Sequence, residues 1–399
     1  MSTSNETGES LIKFRCGKCE KVLEVQLKLS GRQAKCPSCG EIVKVPEDKA
    51  MDSDSQSIRS GIIEAPPDPM VKGPTLRAGE SGTSTQELYR RIANEVEKVF
   101  IGQDELVQGA LVALFSNGHV LIESVPGLGK TLFVRTLGKV LGCDFGRIQF
   151  TADLMPSDIT GAPVFNMKTQ DFEFRAGPVF TQLLLADEIN RSPAKTHAAL
   201  LEIMQERRVT IDGKTHTLDL PFLVVATQNP IESEGTYNLP EAQLDRFMFK
   251  LSAKYPTEEQ EAEILVRHGG QKDLTRQLDE NINQVTTPEE ILSVTAESGT
   301  VRMDELLVDY INKIVRLTRT WPQFYLGASP RAGISLMQGA RTLAMFHGRD
   351  YAVPDDVIEI ALPVLRHRVQ LTAEAEVEGQ SVDQLLSDLI RTIEVPRLK

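Results

Sequence analysis

The chain has 399 residues, 25% charged and 41% hydrophobic, with a formal net charge of −12. That is an ordinary globular balance, long enough for two or three compact units. The acidic excess argues against a protein whose main task is gripping phosphate backbones, since such proteins are usually basic. No apolar run approaches the roughly 18–20 residues that a membrane-spanning helix needs. The opening MSTSNETGES has neither a basic start nor an apolar stretch, so the chain reads as cytoplasmic, without membrane insertion.

Residues 11–46 hold short β-like runs at 11–14, 22–27 and 42–45, and four of the five cysteines. Cys16 and Cys19 form one pair, Cys36 and Cys39 the other, with sixteen residues between the pairs. This is the spacing of a four-cysteine zinc site. Two residues between cysteines make a tight knuckle that aims both thiolates at one point, and two knuckles complete a tetrahedral shell. No coordination position stays open, so zinc here would be structural. A unit of 36 residues also needs such a staple, because it cannot fold on an apolar core alone. The bland alternative is four reduced cysteines without metal. The module is similar to the short zinc ribbons that begin many bacterial regulatory chains. Its eight Lys/Arg against three Asp/Glu give a mild positive bias that fixes no ligand. Cys143, alone, reads as a small buried residue.

Residues 47–84 are rich in Ser, Asp, Glu, Pro and Gly. They cannot bury enough apolar surface to offset their ordering entropy and read as a flexible linker.

Residues 85–252 alternate strands with helices: strand 120–123, helix 131–140, strand 181–185, helix 193–207, strand 222–226. This implies a parallel sheet covered by helices, an α/β class. Residues 253–399 carry helical periodicity, as at 305–319 and 332–347, and read as a separate α-helical unit. The run SVPGLGKT (124–131) follows the first strand and opens the first helix, the context of a P-loop. Gly127 and Gly129 let the backbone turn its N–H groups around phosphate oxygens. Pro126, Leu128 and Leu132 flank them. Lys130 reaches the β- and γ-phosphates, and Thr131 serves magnesium. Ser124 stands where the usual pattern has glycine. The strand before Asp187 and Glu188 delivers two acids at its end, Asp187 for magnesium and Glu188 to activate water. The next strand delivers Asn229 in the same way. Such strand ends converge on the ligand crevice of an open α/β sheet.

Several longer runs, DEINRSPAK (187–195), LLEIMQE (200–206), ATQNP (226–230), EGTYNLPEAQLDRF (234–247) and GASPRA (327–332), carry a resemblance. From about residue 85 to the end, the chain resembles the MoxR family of AAA+ ATPases. The resemblance implies an AAA+ P-loop ATPase core with an α-helical lid, acting on ATP with magnesium as a homo-hexameric ring. It implies that Arg246 is the finger that reaches a neighbour's γ-phosphate, and that Arg331 is a sensor in the lid contacting nucleotide of its own subunit. Arg191 is placed at the subunit interface. Ile101 and Gly102, in FIGQ (100–103), are implied to pack on adenine. Residues 160–178 resemble the hairpin insert that faces the ring pore; a surface hairpin without substrate contact is the bland alternative. The family's chaperone-like action implies protein clients, among them proteins with von Willebrand factor A domains. A competing reading makes the zinc ribbon a nucleic-acid reader with the ATPase as its switch. The acidic charge and the lack of a helix-turn-helix pattern disfavour it.

Overall fold

The structure is a computed structural model. It describes residues 2–4, 10–15, 21–26, 33–36, 39, 42–44, 84–229, 237, 239–269, 278 and 280–397. The chain divides into two compact units, Met1–Ala65 and Pro66–Lys399. In the first, β1 (Ser2–Ser4), β2 (Ser10–Arg15) and β3 (Val22–Gln26) form an antiparallel sheet, and β4 (Gln33–Lys35) pairs antiparallel with β5 (Ile42–Lys44). Cys36 is buried and Cys39 exposed. Cys16, Cys19 and the segment read as a linker, up to residue 83, lie outside the described residues.

The second unit is built on a five-stranded sheet. Its strands are β6 (Val120–Glu123), β7 (Phe145–Gln149), β10 (Leu183–Asp187), β13 (Leu223–Gln228) and β14 (Phe249–Ser252), ordered β14-β6-β13-β10-β7. Every pairing is parallel. A parallel sheet is covered on both faces, so its central strands are nearly continuous apolar runs, whereas the edge strands β7 and β14 carry Arg147, Gln149, Lys250 and Ser252. The side chains alternate strictly. Val120, Ile122, Leu183, Leu185, Leu223 and Val225 enter one core cluster. Leu121, Leu184, Ala186, Val224 and Ala226 enter the other.

The first face is packed by α1 (Ser84–Glu97), α2 (Asp104–Phe115) and α3 (Lys130–Leu141), the second by α5 (Ala194–Glu206). Short α4 (Pro156–Thr160) leads into an antiparallel hairpin of β8 (Gly161–Asn166) and β9 (Asp171–Ala176). A second hairpin, β11 (Arg208–Ile211) with β12 (Lys214–Thr217), follows α5. The one-turn α6 (Glu241–Leu244) precedes β14, and α7 (Glu258–His268) follows it.

The helical part comprises α8 (Pro288–Ser298), α9 (Glu305–Thr318), α10 (Pro330–Phe346), α11 (Pro354–Leu365), α12 (Ala373–Val377) and α13 (Val382–Arg391), with a small hairpin of β15 (Phe324–Leu326) and β16 (Gln370–Leu371). Sequence patterning sets this part aside as a separate unit. In the structure it shares one hydrophobic cluster with the sheet: Leu336, Ala340, Leu343, Val357, Ile360 and Leu386 belong with Phe249 and Leu251. Gly339 in α10 lets the elements close up, because a Cβ there would stand 2.5 Å from Ile360 and 3.3 Å from Met248.

A buried histidine ties the second face together. His119, just before β6, accepts the Val224 N–H at Nδ1 (3.1 Å) and places Nε2 3.0 Å from the Met204 carbonyl. Both contacts suit the neutral ring with its proton on Nε2. Burial is the main cause that pushes its pKa down to about 4. The folded state therefore refuses a proton that the unfolded chain takes up near pH 6.5. The stability from this site is intact above pH 6.5 and lost as pH falls toward 4, by about 3 kcal/mol. Buried His367 is lowered in the same direction, by burial and then by Arg368. Urea unfolding is expected to show stability falling below pH 6.5. His119→Gln should flatten part of that slope, and an unchanged slope would show that this ring is not its source.

Candidate functional site

The turn from β6 into α3 rests on two glycines in the left-handed region, Gly127 (φ 88°) and Gly129 (φ 73°). An L side chain is strained there, so both positions need glycine. Left-handed residues alternating with right-handed ones tip N–H groups into a nest that favours anions, and the start of α3 adds its dipole. Thr131 follows in the first turn of α3, half-buried. Lys130 folds back over its own loop, its Nζ donating to Ser124 Oγ (2.7 Å) and to the Val125 carbonyl (3.1 Å). Burial pushes the Lys130 pKa down, while Asp187 and Glu188 pull it up. The lysine thus faces the two acids across the crevice. Ser124, the departure from the usual loop pattern, is the hydroxyl on which Lys130 rests. Its N–H also donates to the Gln228 carbonyl (3.2 Å), tying the loop to the end of β13.

The acids are held by a residue that sequence reasoning missed. The Thr227 hydroxyl donates to Asp187 Oδ1 (2.6 Å) and accepts the N–H of Glu188 (2.8 Å). Glu188 has φ 56°, a left-handed conformation that costs a non-glycine residue about 1–3 kcal/mol. The Thr227 bond helps to hold it. Arg147 donates to Asp187 Oδ2 (2.7 Å). Gln149 donates to Glu188 Oε2 (2.7 Å), and Arg191 Nε lies 3.2 Å from the same oxygen. Arg191, placed by the resemblance at an interface, thus contacts Glu188 within its own chain. Asn229 is buried one residue beyond β13. Because β13 runs between β6 and β10, Asn229 falls between the phosphate loop and the acids.

Beside the loop lies an apolar cavity of about 480 Å³. Phe100, Ile101, Pro126, Gly127, Leu128, Gly129 and Leu132 line it, with Tyr255, Ile264 and Leu265 opposite. Phe100 stacks on Phe133 with centroids 4.8 Å apart, so this wall is rigid. Such a slot beside a phosphate nest fits a flat base. Gly102 borders a neighbouring polar cavity with Gln260; its φ is +73°, and a Cβ there would meet that side chain at 2.4 Å.

The two arginines lie elsewhere. Arg246 donates to the Leu201 carbonyl (3.0 Å) and to Gln205, both on α5. Arg331 lies 3.9 Å from Asp245. Both line a second cavity of about 320 Å³, with His119 and Arg368. Arg331 is absent from the lining of the base cavity. Ser329 bonds Asp245 (3.0 and 3.1 Å) and pins the start of α10 to the end of α6. Cys143 is buried, as read, and burial pushes its pKa up to about 12. Among the described residues no group of three or more His, Cys, Asp or Glu could hold a metal ion; two of the four paired cysteines are outside that set.

The chain is similar to known proteins. Residues 119–249 match the family model for the ATPase family associated with various cellular activities, and residues 316–389 match the AAA lid domain. The chain is 43% identical over 324 residues to Chaperone MoxR1 of Mycobacterium tuberculosis, covering 76% of this chain and 81% of that protein. It is 44% identical over 309 residues to the uncharacterised protein YeaC of Bacillus subtilis, covering 77% and 95%. It is 30% identical over 340 residues to Protein MoxR of Methylorubrum extorquens, covering 80% and 97%. A crystal structure from Cytophaga hutchinsonii, provisionally assigned as an ATPase, superposes with a TM-score of 0.73 at 41% identity, over 78% of this chain and 96% of that one.

Thr227→Val removes the hydroxyl that joins both acids at little cost in volume. It is expected to lower ATP turnover by about 10–100-fold while changing KM little. Steady-state hydrolysis with a parallel nucleotide-binding titration checks this. A turnover like that of the unmodified chain would remove Thr227 from the site.

Proposed function

The chain belongs to the MoxR family of AAA+ ATPases and is an ATP hydrolase, and on that premise we propose that it spends hydrolysis on chaperone-like remodelling of protein partners. One observation carries the proposal. The β8–β9 hairpin exposes Val164, Phe165, Met167 and Phe172, from 49% to 87%. Phe165 and Phe172 meet edge to face at 5.3 Å. Exposed aromatic and Met side chains on a short hairpin are costly to leave in water and suited to gripping unfolded chain. The hairpin's root is fixed. A Cβ on Gly161 would overlap the Arg175 carbonyl, and one on Gly177 the Ile159 carbonyl. Phe174 stacks at 4.0 Å on His216 of the β11–β12 hairpin. That second hairpin follows α5, which starts beyond the acids and carries the carbonyl bound by Arg246.

In the proposed cycle the nest of residues 126–131 holds the phosphates and the apolar cavity holds the base. Lys130 shifts from Ser124 to the γ-phosphate. Glu188 orients the attacking water, and Asn229 steadies it from the neighbouring strand end. Asp187, buried at a strand end facing the loop, and Thr131 suit magnesium, which would neutralise phosphate charge. Arg246 and Arg331 line a cavity other than the base cavity of their own chain, and on that ground both are assigned to the site of an adjacent subunit, Arg331 in place of the own-subunit contact that the resemblance implies. This supports a ring, proposed as a homo-hexamer. Partners with von Willebrand factor A domains are proposed from the family resemblance. The cysteine spacing supports a zinc ribbon formed by Cys16, Cys19, Cys36 and Cys39.

Glu188→Gln is expected to bind ATP and hydrolyse it poorly, retaining its partner. Purified with ATP and nuclease, it should co-elute with a discrete protein that is lost in Lys130→Ala. Retention of nucleic acid alone would support the ribbon-as-reader alternative instead. Metal analysis of the full chain should find about one zinc per chain, lost in Cys36→Ser; a zinc-free chain ends the ribbon assignment.

A further inference from the structure

Asp245 is the meeting point of the sheet domain and the helical lid. It precedes Arg246 in the chain and caps α6. Its Oδ1 accepts from Arg368 Nε at 2.8 Å, and the Ser329 hydroxyl reaches both carboxylate oxygens. The same hydroxyl accepts the Arg331 N–H at 3.1 Å. An unbroken chain of bonds thus runs from Arg368 through Asp245 and Ser329 to Arg331, with Arg246 covalently attached at its midpoint. Arg368 is the buried anchor, its side chain 2% exposed. It donates to the carbonyls of Asp245 (3.3 Å), Phe247 (2.7 Å), Met248 (3.1 Å) and Val364 (2.5 Å), and to Ser335 Oγ (3.3 Å).

A guanidinium so deeply desolvated is costly unless nearly all of its donors are met. Here the acceptors come from both sides of the junction: residues 245–248 of the sheet domain, and α10 and α11 of the lid. If the lid slid by an ångström or two, several of these bonds would break together. While these bonds are made, the seated contact fixes the distance between an arginine on the core and an arginine on the lid.

We propose that Asp245, Ser329 and Arg368 are positioning residues that lock Arg246 and Arg331 into one preorganised pair, so that a subunit stimulates hydrolysis in its neighbour only while its own lid is seated. This rests on the reading that the two arginines act on an adjacent subunit. Neither Asp245 nor Arg368 need touch nucleotide; they act through the arginines.

Subunit mixing of the full chain tests the two layers separately. Glu188→Gln has an inactive site but intact arginines, and Arg246→Ala has the reverse; mixed, they should restore part of the ATPase activity that each lacks. Asp245→Asn alone should lose at least about tenfold in kcat while binding ATP in its own site within about twofold of the unmodified chain. It should be rescued by Glu188→Gln subunits. The double variant Glu188→Gln with Asp245→Asn should fail to rescue Arg246→Ala. Ser329→Ala leaves the ion pair whole and should show the same pattern more weakly; it carries the test if Asp245→Asn does not fold. If Glu188→Gln and Arg246→Ala do not rescue each other, the adjacent-subunit reading falls, and the clamp with it. If they do, but folded Asp245→Asn or Ser329→Ala turns over ATP at the unmodified rate, the clamp alone is overturned.

Discussion

Parallel pairing of β13 between β6 and β10 is the constraint from which the site follows. Hydrogen bonding sets Ala226 opposite Leu121 on one side and opposite Ala186 on the other. The three strand ends therefore open side by side: the phosphate loop after β6, Thr227 to Asn229 at the end of β13, and Asp187 with Glu188 at the end of β10. No single segment holds all of the chemistry. What joins them is short-range and polar: the Ser124 N–H on the Gln228 carbonyl, and the Thr227 hydroxyl between two acids. At the centre of a sheet buried on both faces, such groups have no water to fall back on, and each unmade bond costs about 1–3 kcal/mol.

The same logic extends to the arginines. A lid attached by apolar packing alone could slide, because side chains such as Leu336 and Ile360 accept many similar contacts. Buried Arg368 cannot slide so cheaply, since its donors match fixed carbonyls. Apolar contact thus supplies most of the attraction between lid and sheet, and the Arg368–Asp245 pair supplies the registry.

The exposed hairpin is the opposite case. Val164, Phe165, Met167 and Phe172 remain in water, although the sequence has ample polar residues to replace them. Its root is rigid and its tip apolar, an arrangement that keeps a sticky surface from collapsing onto the domain that carries it.

Much of this was legible in the sequence. Alternating apolar strands and helices announced the parallel sheet, and Gly127, Gly129, Lys130, Asp187, Glu188 and Asn229, which the structure brings to neighbouring strand ends, were legible as a candidate phosphate site, because strand ends and left-handed turns are local signals. The hairpin at residues 161–176 was legible for the same reason. The role of Thr227 was not, because a threonine ending a β-strand is unremarkable until the neighbouring strand supplies Asp187. Nor was the place of Arg331. Its local sequence describes a helix start, whereas its partner Asp245 stands 86 residues earlier in the chain. The sequence by itself determined which elements form and which residues have the chemistry to serve phosphate. Only the tertiary structure decided which side chains share a cavity and that the lid merges into the core of the sheet, because those outcomes depend on packing between segments far apart in the chain, and no local periodicity records it.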